Sequence, residues 1–278
     1  MSLRLNALRG DTPVAFMAAL GLLRIAPEGC RLSWDPGTNV ALLEGVEYDP
    51  LLDHLVAHMR GRAVAPELAL TEKGDVRGVD LEQYRTMVQA ADNGTQTWIR
   101  CWWREEGDKV IPTDLCLTGG PMRFIKMGRT LAEALDPARN KAAPGKVRGQ
   151  FEEALLGPWR YQDDKASWGW DPATFRPGAL TPDAPGNMKL EGVAGAYWLA
   201  WEAQPFFPCI PGQGTLGFQR HPRRWNWVTW AEPLDRHAAQ ALLRQPEEAV
   251  ALGGKRFQSR INVAGQYQFM MPGRVVGA

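Results

Sequence analysis

The sequence predicts a mixed α+β protein of helices and antiparallel strands. Three observations point there. Short runs with period-two apolar alternation occur at both ends of the chain, Gly- and Pro-rich turns punctuate them, and apolar runs with helical spacing lie between. At 278 residues the chain can bury a sizeable core. Two lobes are expected, residues 1–135 and 161–278, parted by a basic linker or loop at 136–160.

Leu3 and Leu5 alternate with Arg4 and Asn6, which predicts a first strand closed by the Arg9-Gly10-Asp11 turn. Thr12 then reads as an N-cap with Pro13 at the first helical position, and Val14 to Ile25 as a helix apolar nearly all round, hence buried. Arg31–Trp34 and Val40–Leu43 read as strands joined by the Asp35-Pro36-Gly37-Thr38 turn. Asp49-Pro50 opens a second helix, on which His54 and His58 fall four residues apart. No third ligand accompanies them, so both read as solvated and no metal is expected. A short helix is predicted over 81–91, and the aromatic run Trp98–Trp103 reads as a strand paired with Val110-Ile111.

Leu117-Thr118-Gly119-Gly120-Pro121 is a glycine-rich loop leading into a helix over 122–135. Free amides at such a junction suit an anion, with Arg123 and Lys126 on one helix face beside Gly119 and Gly120. Asp136 to Gly149 shows no apolar periodicity and carries Arg139, Lys141, Lys146 and Arg148, so a flexible basic loop is expected. A helix resumes over 193–203. Gly212-Gln213-Gly214-Thr215-Leu216-Gly217 matches a dinucleotide fingerprint in letters only, because Pro211 precedes it and His221-Pro222 blocks the helix it needs; a hairpin fits better, and no cofactor is expected. Two short helices over 234–252 and a strand from Phe257 to Val263 follow, its second face showing Gln258, Arg260 and Asn262.

Composition is that of an ordinary globular chain, 45% hydrophobic and 23% charged, apart from 12 tryptophans. The net charge of +1 argues against a protein that coats nucleic acid unaided, but the charge is unevenly placed. Lys+Arg against Asp+Glu is 12 to 17 over residues 1–120, 8 to 4 over 121–160, 3 to 6 over 161–209 and 9 to 4 over 210–278. Two basic blocks in an acidic chain suit a localised polyanion-facing surface. Four dispersed cysteines without a Cys-x-x-Cys read as buried free thiols in a reducing compartment. Met1–Gly10 lacks the apolar core of a signal peptide, and the apolar run at 14–26 is too short to span a bilayer, so a cytoplasmic protein without membrane contact is expected.

The densest signal is Arg220-His221-Pro222-Arg223-Arg224-Trp225-Asn226-Trp227, with Trp230 close behind. Guanidinium forks fit phosphate oxygens, indole faces stack on bases, and the Asn226 amide can pair with adenine. Arg220, Arg223 and Arg224 are therefore candidate DNA contacts, with Trp225 or Trp227 as a stacking or wedge residue. Lys255, Arg256 and Arg260 add basic groups nearby. The alternative is an edge hairpin whose tryptophans are core and whose arginines are solvated. His221 among three arginines also admits a general base near phosphate.

Several segments together resemble type I CRISPR-associated proteins of the I-U/I-G group. Leu8-Arg9-Gly10-Asp11-Thr12-Pro13 followed by Phe16 to Arg24 is similar to the start of their large-subunit-like proteins. Trp168-Gly169-Trp170-Asp171-Pro172 and Glu202-Ala203-Gln204-Pro205-Phe206-Phe207-Pro208 also look like that group. The chain is shorter than most large subunits and shows no HD, HNH or Asp-Glu nuclease constellation. The resemblance implies a non-catalytic subunit of a Cascade-like ribonucleoprotein complex that works with other CRISPR subunits, guide RNA and double-stranded target DNA, and with a recruited helicase-nuclease. Its task would be binding near the flanking motif and the displaced strand. An RNA-processing or nuclease subunit using His221, and a scaffold contacting only proteins, are the competing readings.

Overall fold

The computed structural model describes residues 2–117, 123–140, 145–164, 168–174, 191–264 and 267–277. The chain opens with strand β1 (Ser2–Arg9), helix α1 (Pro13–Ile25) and the hairpin β2 (Arg31–Trp34) and β3 (Val40–Glu44). These strands form an antiparallel sheet in the order β1-β3-β2. A register shift between Leu5 and Arg9 lets Leu5 and Leu8, three apart, both point inward. Pro13 starts α1 as expected, whereas Thr12 makes no side-chain capping bond.

Helix α2 (Tyr48–His58) follows, then α3 (Leu81–Ala90), α4 (Asn93–Trp102) and the hairpin β4 (Trp103–Glu106) and β5 (Lys109–Pro112). The hairpin lies where expected, but Trp98–Trp102 is helix and not strand. Asp92 caps it by accepting from the Thr95 amide at 2.7 Å, and Thr95, Trp98, Ile99 and Trp102 form a buried stripe at helical spacing. Helix α5 (Phe124–Leu135) starts two residues later than expected. Lys146 and Arg148 are not in a flexible loop. They sit on α6 (Gly145–Leu156), which buries Val147, Phe151, Ala154 and Leu155 against β1, α2 and α7 (Ala194–Glu202).

Helix α7 is the centre of the molecule, with all nine residues buried. It packs chiefly on α1, where Gly21 allows the backbones to touch: a Cβ there would lie 1.7 Å from the Leu199 carbonyl oxygen. Gly21→Ala must therefore separate the helices and is expected to cost about 1–3 kcal/mol, read as a lower denaturant midpoint with unchanged slope.

The rest is mostly β: β6 (Cys209–Ile210), β7 (Gly214–Thr215), β8 (Phe218–Arg220) and β9 (Arg223–Val228), helices α8 (Arg236–Leu242) and α9 (Pro246–Ala251), then β10 (Arg256–Ala264), β11 (Tyr267–Met270) and β12 (Arg274–Val275). A five-stranded antiparallel sheet runs β11-β10-β9-β8, with β12 also on β10. After β9 the chain runs along β2, where Trp34 donates to the Trp230 carbonyl and Leu32 to that of Leu234, both at 2.8 Å. Buried side chains from both sides of residues 136–160 join one cluster, so the architecture is α+β and two separate lobes are not shown. Among the described residues, no helix is long and apolar enough to cross a membrane.

Candidate nucleic-acid interface

Strand β9 has two faces because side chains alternate along an extended backbone. Trp225 and Trp227 point inward and are buried, stacked at 4.6 Å on one another and packed against Phe16. The Trp227 indole N–H donates to the Gly10 carbonyl at 2.7 Å, and that of Trp230 to Leu32 at 2.8 Å. Neither Trp225 nor Trp227 can act as a stacking or wedge residue, and that expectation is corrected: the indoles are core, fixed by the sheet's inner face.

The outer face carries what the tryptophans do not. Arg224 and Asn226 point there, and register places Arg260 opposite Arg224, Gln258 opposite Asn226, and Arg274 of β12 beside Gln258. The Gln258 side-chain oxygen accepts from Arg224 Nη1 at 2.9 Å and Arg274 Nη2 at 3.0 Å. Its amide donates to the Asn226 oxygen at 2.8 Å, and Asn226 donates to the Gly217 carbonyl at 3.2 Å. This relay fixes two guanidiniums side by side on a rigid sheet.

Three positive charges thus crowd one face, with Arg224 and Arg260 directly cross-strand, an arrangement that repels. Among the described residues none of Arg224, Arg260 and Arg274 forms an ion pair, and Arg224 Nε is a buried donor without a partner. Arg256 on the same face differs, being paired with Glu247 of α9. Lys255 is also occupied, donating to the Pro36 carbonyl at 2.5 Å and to Asn39 Oδ1 at 2.9 Å.

The remaining candidates scatter. Arg220, His221 and Arg223 lie around the β8–β9 turn, where Arg223 donates to Gln268 at 2.7 Å and His221 is exposed. Arg148 is held by Asp49 and Asp53, and Arg139 by Glu133 at 3.3 Å. Lys146 is exposed on α6. Arg123 and Lys126 are exposed at the start of α5, but the Lys126 amide already donates to the Gly74 carbonyl at 2.8 Å, which removes one donor from the expected anion site. Gly119, Gly120 and Lys141 lie outside the described residues.

A second charged cluster escaped the sequence reading. Glu202, fully buried on α7, accepts from Arg24 of α1, from Arg62 at 3.0 Å and pairs with His58 at 3.1 Å; Arg62 also reaches Glu67 at 2.5 Å. Arg24 and Arg62 lie over the Trp98 and Trp198 rings. His58 is therefore not solvated, and His54 bonds the Ile25 carbonyl at 2.7 Å. Burial, then Arg62 and Arg24, push the His58 imidazole from 6.5 down to about 3. It is neutral when folded, with Nε2–H donating to Glu202.

That shift has a signed consequence. Between pH 6.5 and about 3 the unfolded chain binds a proton at His58 that the folded chain refuses. The stability that neutral His58 permits is complete above pH 6.5 and is lost as pH falls, by up to about 1.4 kcal/mol per pH unit from this group. His58→Gln should flatten the acid limb of a stability–pH curve; an unchanged limb would contradict the assignment.

A broad cleft of about 1140 Å³ opens behind the β8–β9 turn, between α4, the β4–β5 hairpin and the β6–β7 hairpin. No group of three His, Cys, Asp or Glu residues that could hold a metal occurs among the described residues. No protein-family model matches the chain, and no curated protein matches it.

Residues 8–13 with 16–24, 168–172 and 202–208 are largely buried. Trp168 and Trp170 stack at 5.2 Å, Asp171 accepts from the Tyr197 hydroxyl at 3.0 Å, and Phe206 and Phe207 are buried. Most of their side chains pack in the core, while Arg24 and Glu202 belong to the charged cluster.

Proposed function

We propose that this chain is a non-catalytic, nucleic-acid-binding subunit of a type I CRISPR interference complex. It would engage target DNA near the flanking motif and the displaced strand through the outer face of the five-stranded sheet. The observation that carries this reading is the set Arg224, Arg260 and Arg274, mutually repelling and without carboxylate partners among the described residues. Such a set is relieved by an anion spanning all three, and phosphates along a strand do so. The resemblance supports the complex; the sheet face supports the nucleic acid. Asn226 adds little base reading, because its oxygen and amide are both engaged.

The test is a titration of the purified full chain with labelled duplex and single-stranded DNA over a series of salt concentrations. Phosphate contacts predict a log Kobs that falls linearly with log salt, by roughly 0.7 to 0.9 for each contact. Absence of binding at low salt would overturn the reading and favour a scaffold that meets only proteins.

A further inference from the structure

The cleft behind the β8–β9 turn is separate from the sheet's outer face, and its lining is chemically mixed. Three elements and one turn bring guanidiniums to it: Arg100 from α4, Arg104 from β4, Arg220 from β8 and Arg244 from the turn after α8. Glu106 and Asp114 stand between two of them. Arg104 reaches Glu106 at 3.1 Å and Asp114 at 3.5 Å, while Arg220 lies 3.6 Å from each carboxylate. The Arg220 contacts are too long for hydrogen bonds, so its donors remain open to a closer acceptor. Arg100 and Arg244 are exposed and form no ion pair among the described residues. Tyr84 and Phe218, both half-buried, supply ring surface.

These groups define a ligand. Guanidiniums only donate and carboxylates only accept. A bare phosphate would meet Arg100 and Arg244 but be repelled by Glu106 and Asp114. A nucleotide has phosphate oxygens for the arginines, amino or imino hydrogens for the carboxylates and an aromatic face for the rings. The volume of about 1140 Å³ accommodates one with room for its neighbours. Phe218 and Arg220 share register with Trp225 and Arg223, on the opposite side of the sheet from Arg224, and β8 is its edge strand. We propose that this cleft takes one unpaired nucleotide of a single strand that rounds the β8 edge from the outer face of the sheet. The inference rests on the nucleic-acid reading above, and Glu106 and Asp114 are the groups that exclude simple anions.

Cys209 lines the cleft half-exposed, while Cys30, Cys101 and Cys116 are buried, so alkylation of Cys209 reports occupancy. Burial raises its thiol pKa, and labelling is therefore run at mildly alkaline pH. The full chain is alkylated with iodoacetamide alone, with a labelled single-stranded oligothymidine carrying one guanosine, with GMP and with pyrophosphate; anisotropy of the oligonucleotide is read in parallel. At a probe concentration about ten times its Kd, mass action predicts roughly 10-fold slower alkylation by the oligonucleotide or GMP. Pyrophosphate should protect far less, and E106Q with D114N should bring its protection up to that of GMP. R100A with R244A should remove protection while the sheet face still binds the oligonucleotide. Binding by anisotropy with unchanged Cys209 alkylation overturns this inference and leaves the sheet-face reading standing. Protection by GMP without oligonucleotide binding overturns the sheet-face reading and, with it, the strand, and leaves the cleft as a site for a free nucleotide. Equal protection by pyrophosphate in the unaltered chain overturns the role of the carboxylates.

Discussion

Replacing Glu202 by alanine is expected to destabilise the fold by about 3–5 kcal/mol, the cost of leaving buried charge without its partner. Glu202 is the fully buried carboxylate against which Arg24 and Arg62 are neutralised, and those arginines come from α1 and from the turn after α2. Removing it leaves Arg24 without an ion pair among the described residues and Arg62 with Glu67 alone. Burial and the neighbouring Arg62 already push Arg24 down to about 10. Glu202→Gln keeps the shape and one acceptor and should lose less. Urea unfolding reads both: a midpoint shift with constant slope is predicted, and a loss below about 1 kcal/mol for alanine would contradict the network's role.

The second large effect is on binding. Changing Arg224, Arg260 and Arg274 together to alanine should lower the salt slope of DNA binding by roughly 2 to 3. It should also weaken binding about uniformly across sequences, since phosphate contacts position and do not specify. The fold should tolerate the change, because all three guanidiniums stand outside the buried tryptophan layer, and relieving the Arg224–Arg260 repulsion offsets the bonds lost to Gln258. Unchanged far-UV spectra with a reduced slope would support the interface. An unchanged slope would move binding elsewhere on the chain.

Local signals carried much of the fold. Pro13 and the Asp35-Pro36-Gly37-Thr38 turn each dictate conformation within a few residues, and their elements lie where the signals place them, whereas the hairpin strand expected over Trp225–Trp230 runs two residues earlier, Arg223–Val228. Trp98–Trp102 was misread because aromatic residues favour strands in general, although burial at Thr95, Trp98, Ile99 and Trp102 has helical spacing and Asp92 caps it. The basic stretch hid α6 for a similar reason: charge obscured Val147, Phe151, Ala154 and Leu155, spaced four, three and one apart.

The candidate site was legible in part. The 220–227 segment advertised Arg224, but alternation alone could not say whether its arginines or its tryptophans faced solvent. Packing of the indoles on Phe16 decided it. Arg274 carried no signal, because a two-residue strand near the end of the chain gains meaning only from its pairing with Gln258. The Glu202 cluster was illegible too, since its partners lie 140 to 178 residues away.

Arginine footprinting tests the central claim most directly. The full chain is treated with phenylglyoxal with and without saturating single-stranded DNA, and modification of each arginine is read by mass spectrometry. The account predicts that DNA protects Arg224, Arg260 and Arg274 together, while the ion-paired Arg4, Arg139 and Arg160, distributed elsewhere, react at unchanged rates. Unchanged reactivity of the three sheet arginines in the presence of bound DNA would contradict it.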